Sequence, residues 1–313
     1  MRLRSTGVAI GIAVLLGSVL ANPVQAAVSA APNPAASAGT APAASNPYSP
    51  AYQHPYREGA VPTLAAKTRM DDYAAAHPAA KTPTPSTVNN QVSYRGGFAG
   101  TGAFTGSAKV YLIFWGSQWG TVGTGSGGYT TLSGDPSGAA PYVQRLLAGL
   151  GTGGETWSGV ATQYCAGLPN GLQSCPSNFP HVVYPTGGAL GGVWVDESAA
   201  APSNATLSQL SAEAEAGASH FGNTTVAANT SAQYVVLSPT GTHPDGFNSS
   251  TGNFCAWHSY VSTSYGDVAF QNMPYVTDMG TGCGENYVNS GAAGLLDGVT
   301  MVEGHEYAET LTD

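Results

Sequence analysis

Near the C-terminal end stand His305, Glu306 and Glu309, with Glu303 two residues ahead of the histidine. On a helix, residues four apart lie one turn above each other and roughly 6 Å along the axis, so His305 and Glu309 can approach a single ion. The run His305-Glu306-Tyr307-Ala308-Glu309 is a variant of the His-Glu-x-x-His helix, in which paired side chains hold zinc and the intervening glutamate is the general base. The pattern therefore predicts His305 and Glu309 as metal ligands and Glu306 as the catalytic residue. His258, Asp278 and Glu285 are candidates for a third ligand, none with a diagnostic spacing. Short patterns also arise by chance. In the plainer reading the helix exposes its carboxylates to water and His305 is hydrogen-bonded in a core.

Charge distribution bears on the choice. After Arg145 the chain has no Lys or Arg, while fourteen Asp or Glu follow. Buried carboxylates without compensation cost several kcal/mol or take up a proton, so a divalent cation is a fitting partner for such a helix. Zinc suits the imidazole; calcium would suit oxygen ligands elsewhere, among Asp196, Glu197, Asp267 and Asp278.

The helix that must carry these groups is expected over Ser290 to Asp313, capped by Ser290 or Asn289, with apolar residues around most of its circumference. Gly298 and Gly304 are its weak points. Lys109 to Trp115 is a β-branched and aromatic run that reads as a buried central strand. Helices are expected at Pro141 to Leu150 and at Ala205 to Phe221, the latter capped by Ser203 or Asn204. Further strands are expected at His181 to Tyr184, Val193 to Val195, Gln233 to Ser238, Tyr260 to Ser262 and Val268 to Gln271. Together these predict an α/β fold: a mixed sheet with flanking helices and long Gly/Thr/Ser-rich loops.

The whole chain has 313 residues, 9 Lys+Arg against 18 Asp+Glu and a net charge of −9. Only 9% is charged, against about 25% in an ordinary soluble domain. Nucleic acid is excluded as a partner because phosphate binding needs clustered cations, and a basic membrane-surface patch fails for the same reason. Met1 to Ala26 carries Arg2 and Arg4, an apolar run from Val8 to Leu20 and small residues up to Ala26, the layout of a secretory signal rather than a membrane anchor. The mature protein is then expected outside the cytosol, free of the membrane. Ala27 to about Asn90 is rich in Ala, Pro, Ser and Thr and reads as a solvated linker. Its rival is a pro-segment, suggested by Arg57, Lys67, Arg69 and Lys81. The globular part, residues 92–313, is expected to begin near Val92.

Four cysteines without a C-x-x-C spacing read as two disulfides in an oxidising compartment. Three pairings are possible; Cys165 with Cys175 and Cys255 with Cys283 keeps both loops short.

Val110-Tyr111-Leu112-Ile113-Phe114-Trp115-Gly116, Phe254-Cys255-Ala256-Trp257-His258 and Val302-Glu303-Gly304-His305-Glu306-Tyr307-Ala308-Glu309, in that order, resemble the secreted phosphate-induced, EXORDIUM-like family and its bacterial relatives. The resemblance covers most of Val92 to Asp313. It implies an extracellular α/β domain and, for plant members, a cell-wall or growth-related role. It also implies a continuation past Thr310-Leu311-Thr312-Asp313 into a Pro turn, a Gly/Trp-rich stretch and another cysteine, so the chain is expected to be a fragment.

Other constellations are weaker. No Gly-x-Ser-x-Gly elbow occurs, so a serine hydrolase has no anchor. Asp196 and Glu197 are of the type that does acid/base work, but neighbours on a strand face opposite ways, so the pair is expected in a surface loop. Gly187 to Gly192 fits no phosphate-binding register. Trp115, Trp119, Tyr129 and Trp157 could stack on sugars. The sequence thus predicts a secreted zinc metallopeptidase-like protein acting on a peptide or cell-wall substrate, with a non-catalytic extracellular binding protein as the alternative.

Overall fold

A computed structural model describes residues 46–78, 103–169, 171–249 and 252–312. The expected signal segment, much of the Ala/Pro-rich stretch and the start near Val92 lie outside the described residues.

The architecture is α/β, as expected. Six strands form one mixed sheet: β1 (Glu58–Pro62), β2 (Lys109–Trp115), β5 (Leu190–Asp196), β6 (Ala232–Leu237), β7 (Phe254–Thr263) and β8 (Gly266–Met273). Their order across the sheet is β1-β7-β8-β6-β2-β5, and a small ribbon of β3 (Val122–Thr124) and β4 (Thr130–Leu132) stands apart. β6 is parallel to β2 and β8, and β2 is parallel to β5. Every residue of β6 is buried, so both faces of this central strand are covered and Ala232-Gln233-Tyr234-Val235-Val236-Leu237 shows no alternation. β7 and β8 form an antiparallel hairpin with seven residue pairs in unbroken register, and β1 adds to the outer edge of β7.

Helices α1 (Leu64–Ala76), α2 (Ala139–Gly149), α3 (Leu207–His220), α4 (Val226–Asn229) and α5 (Asp297–Thr310) complete the fold. α3 lies on the sheet face of Tyr111, Ile113 and Tyr234, close enough that a side chain on Gly217 would meet the Ile113 Cδ1 at 2.2 Å. α5 covers the opposite face, where His258 and Gln271 are cross-strand partners. Both disulfides form in the pairing that keeps the loops short, Cys165–Cys175 and Cys255–Cys283, the second tying β7 to the segment ahead of α5. Among the described residues no helix is long and apolar enough to cross a membrane.

Local chemistry moved several expected boundaries. The C-terminal helix begins at Asp297 rather than near Ser290, because the Asp297 carboxylate accepts from Val288 N and Asn289 N and folds the preceding chain back as a loop. α3 is capped by Thr206, whose hydroxyl accepts from Gln209 N while Gln209 returns the bond to Thr206 N; Ser203 and Asn204 lie upstream of that box. α2 has glycine at its cap, and Asp135 accepts from Ala139 N and Ala140 N instead. The strand expected at His181 to Tyr184 amounts to isolated bridges at His181 and Val183.

The larger difference concerns the stretch read as a solvated linker from Ala27 to Asn90. Within it Glu58–Pro62 is a strand of the main sheet and Leu64–Ala76 is a helix, capped by Thr63. Neither has a strong apolar pattern; α1 buries only Ala66. The recruiting forces are backbone pairing to β7 and a buried ion pair, Arg57 Nε to Asp245 Oδ2 at 2.7 Å, between residues 188 apart in the chain.

Beneath α3 the end of β5 brings Asp196 beside Glu213, both buried. Burial, with the charge of Asp196, pushes Glu213 up to about 8, and its Oε1 has no hydrogen-bond partner. The folded state therefore holds this proton more tightly than the unfolded chain, so stability falls as pH rises from the ordinary glutamate range toward 8. Glu213→Gln should flatten that slope and stabilise the protein at pH 8 by about 1–3 kcal/mol. Denaturant unfolding at pH 5 and pH 8 checks this; an unchanged slope in the variant would place the effect elsewhere.

Candidate functional site

α5 presents His305, Glu306 and Glu309 toward the outer half of the sheet, and β7 presents His258 to meet them. The His258 Nδ1 stands 2.8 Å from Glu306 Oε2, with both side chains almost wholly buried, at 3% and 0% exposed. One turn on, His305 Nε2 lies 3.1 Å from Glu309 Oε2, and these two side chains are 41% and 39% exposed. The spacing of four read from the sequence thus brings His305 and Glu309 together. That separation serves a hydrogen bond, and it is close to the edge of about 3.4 Å expected between two ligands of one tetrahedral zinc with bonds near 2.0–2.1 Å.

Burial sets the protonation of the group. Desolvation pushes Glu306 up to about 7, opposed by the hydrogen bond from His258 and the nearby His305. The hydrogen bond to Glu309 raises His305 above its ordinary range, against the pull of burial. Glu303, fully buried one turn before Glu306, is pushed well above the usual carboxylate range by burial and by the charge of Glu306. Both its oxygens lack a hydrogen-bond partner, as does the Glu306 Oε1.

Of the three candidates for a third ligand, His258 joins the cluster. Asp278 instead accepts from Thr240 Oγ1 and Gly241 N, and Glu285 accepts from the Asn286 amide. Asp267 holds the β7–β8 turn through Ser262, and Asp196 faces Glu213. Among the described residues, no three or more His, Cys, Asp or Glu form a group that could hold a metal ion. The proposed sugar-stacking aromatics do not make one platform: Trp119 is core, donating Nε1 to Leu237 O, and Tyr129 lies under Arg145. Trp157 is 46% exposed and sits against α5 at Gly304 and Tyr307.

Gly59 was invisible to sequence reasoning. It lies in β1 at a break in register, with φ +55°, and its carbonyl accepts from His305 Nε2 at 3.0 Å. A side-chain carbon on Gly59 would fall 2.0 Å from Glu309 Oε2 and 2.3 Å from His258 Cε1, so these two side chains flank the same point. Only bare backbone fits there, and only glycine takes that φ without strain. The one signal available was the cluster of cations around it, Arg57, Lys67 and Arg69, in an otherwise cation-poor chain. A cavity of about 370 Å³ opens beside the cluster, lined by Glu58, His258, Tyr260 and Thr310 among others.

Compared with protein-family models, curated proteins and solved structures, the chain matches none.

Removing His258 leaves Glu306 buried without its donor. His258→Ala should cost about 3–5 kcal/mol in denaturant unfolding at pH 8, and adding Glu306→Gln should recover about half of it. Strict additivity of the two substitutions would show that the pair is not coupled.

Proposed function

We propose that the chain is a secreted, zinc-dependent hydrolase of the metallopeptidase kind, acting at the His258, His305, Glu306 and Glu309 cluster. The observation that supports the reading is the seating of a backbone carbonyl, that of Gly59, against His305 and beside Glu309, where a peptide main chain already meets the cluster. His305 and Glu309 would hold the ion, an imidazole and a carboxylate being donors that zinc accepts, and the described residues bring no third His, Cys, Asp or Glu into a metal-holding group with them. Zinc, when bound, supplies Lewis-acid polarisation of a carbonyl and a more acidic water. Glu306 has the remaining role. Its Oε1 lacks a partner and its carboxyl lies near neutrality, which suits it to take a proton from a water and return it to the leaving amine. Its Oε2 fixes the orientation of the His258 ring. The edge of β7 orients the peptide. Two disulfides, together with the signal-like Met1 to Ala26, support export.

A second reading follows the EXORDIUM-like resemblance: a non-catalytic wall or matrix protein, for which the half-exposed Trp157 is the supporting observation. Under it, Trp157→Ala abolishes polysaccharide binding and His305→Ala leaves it intact.

The hydrolase reading expects one zinc per chain in titration calorimetry of the purified full-length protein, with His305→Ala and Glu309→Ala each weakening binding about 100-fold or more. Glu306→Gln should keep the zinc and lose about 100-fold or more in hydrolysis of a quenched peptide library. Failure to bind under saturating zinc would refute the metal; full activity in Glu306→Gln would remove that residue from the reaction.

A further inference from the structure

We infer that the outer edge of β7 is a docking groove for an extended peptide bearing an arginine two residues ahead of a glycine, and that Arg57 together with the strand Glu58–Pro62 of this same chain is its resident occupant. The inference deepens the peptidase reading by naming the substrate class and the segment that closes the site, and its test reads binding rather than hydrolysis, so the two can fail separately.

Four observations carry it. First, β1 is added to the sheet rather than woven into it. Among the described residues it pairs only with β7, antiparallel, and its register is broken on both sides of Val61, whereas β7 and β8 match residue for residue. Second, it buries little. All five of its residues are half-exposed, Ala60 and Val61 resting against the edge of the core, and α1, which follows, buries only Ala66. Third, beside the ring contacts of Tyr56 with Trp257 and of Arg57 with Phe254, it is held by polar grips of the sort that recognise a ligand. Arg57 places Nε on Asp245 Oδ2 at 2.7 Å and Nη2 on Asp245 O at 2.8 Å, while the Tyr56 hydroxyl donates to Asp245 Oδ1 at 2.9 Å. Asp245 itself adopts φ +51°, a conformation that an aspartate holds at some cost. No Lys or Arg follows Arg145, so the globular part downstream offers this carboxylate no cation of its own sequence neighbourhood; the cation arrives on the docked strand. Fourth, the Gly59 backbone occupies the point flanked by His258 and Glu309, and its carbonyl meets His305. The occupant therefore lies across the groups proposed to act on a peptide.

This is strand addition to a sheet edge, in which main-chain pairing supplies affinity and a few side-chain seats supply selectivity. The seats are Asp245 for arginine and the His258–Glu309 point for glycine.

The test uses the full chain and a fluorescein-labelled peptide of the sequence of residues 54–64, His-Pro-Tyr-Arg-Glu-Gly-Ala-Val-Pro-Thr-Leu. In anisotropy titrations the Arg57→Ala protein, its own strand weakened and Asp245 left without its cation, should bind the peptide about tenfold or more tightly than wild type does. The same peptide with valine in place of its glycine should lose about tenfold or more. Equal binding of the two peptides, equal binding by the two proteins, or no binding to a folded Arg57→Ala protein would each overturn the inference. Should that variant not fold, hydrogen exchange on wild type decides. The amides of Glu58 to Val61 should exchange about tenfold or more faster than those of β8. Exchange of both strands at one rate would show that β1 opens only when the whole protein unfolds, and the inference would fail.

Discussion

The rest of the site depends on one buried contact, the hydrogen bond between the His258 imidazole on β7 and the Glu306 carboxylate on α5. It joins a strand and a helix 48 residues apart in the chain, in a half of the protein without a lysine or arginine to offer. A carboxylate with no exposure needs a donor or a proton. Histidine is the only basic side chain available in that stretch, and the register of β7 against β8 sets His258 on the face that α5 covers. The disulfide Cys255–Cys283 fixes the same strand to the segment entering α5, three residues before His258. The strand is thus tied covalently to the chain upstream of α5 and by the hydrogen bond to α5 itself.

That constraint spreads outward. With Glu306 turned in to meet His258, the helical periodicity turns His305 and Glu309 toward the edge of the sheet, where both are near 40% exposed. They meet the backbone of β1 there, and glycine is the residue that lets the strand come this close. Glu303, a turn before Glu306, is carried into the interior by the same rotation and finds no partner. A buried acid that must stay protonated to be tolerated is a local cost, which the packing of α5 against the sheet offsets. Two acids raised by burial, Glu303 and Glu306, stand one turn apart on this helix, and a third, Glu213, lies on α3.

How much of this was legible in advance varied with the range of the interaction responsible. β2 and β6 could be read from their composition, because central strands covered on both faces need uninterrupted β-branched and aromatic residues. The short disulfide loops could be read from spacing. Helix ends were less legible: Asp297 and Thr206 define where α5 and α3 begin, through hydrogen bonds to loop amides and to Gln209 that compete with equally plausible upstream caps. β1 was missed altogether. A strand of Glu, Gly, Ala, Val and Pro at a sheet edge has no pattern of its own, since its pairing is made by main chain and its anchor, Asp245, lies far along the sequence.

The sequence by itself determined that His305 and Glu309 share a helix face, because the period of an α-helix is a local property, and that the region around them is starved of cations, because composition needs no fold. Only the tertiary structure decided which distant histidine meets Glu306, that Asp278 and Glu285 are engaged elsewhere, and that a glycine some 250 residues upstream stands over the cluster. The reason is physical: strand register, the covering of one sheet face by α5 and the seating of Arg57 on Asp245 are satisfied jointly across the whole domain, and no single window of sequence contains the partners.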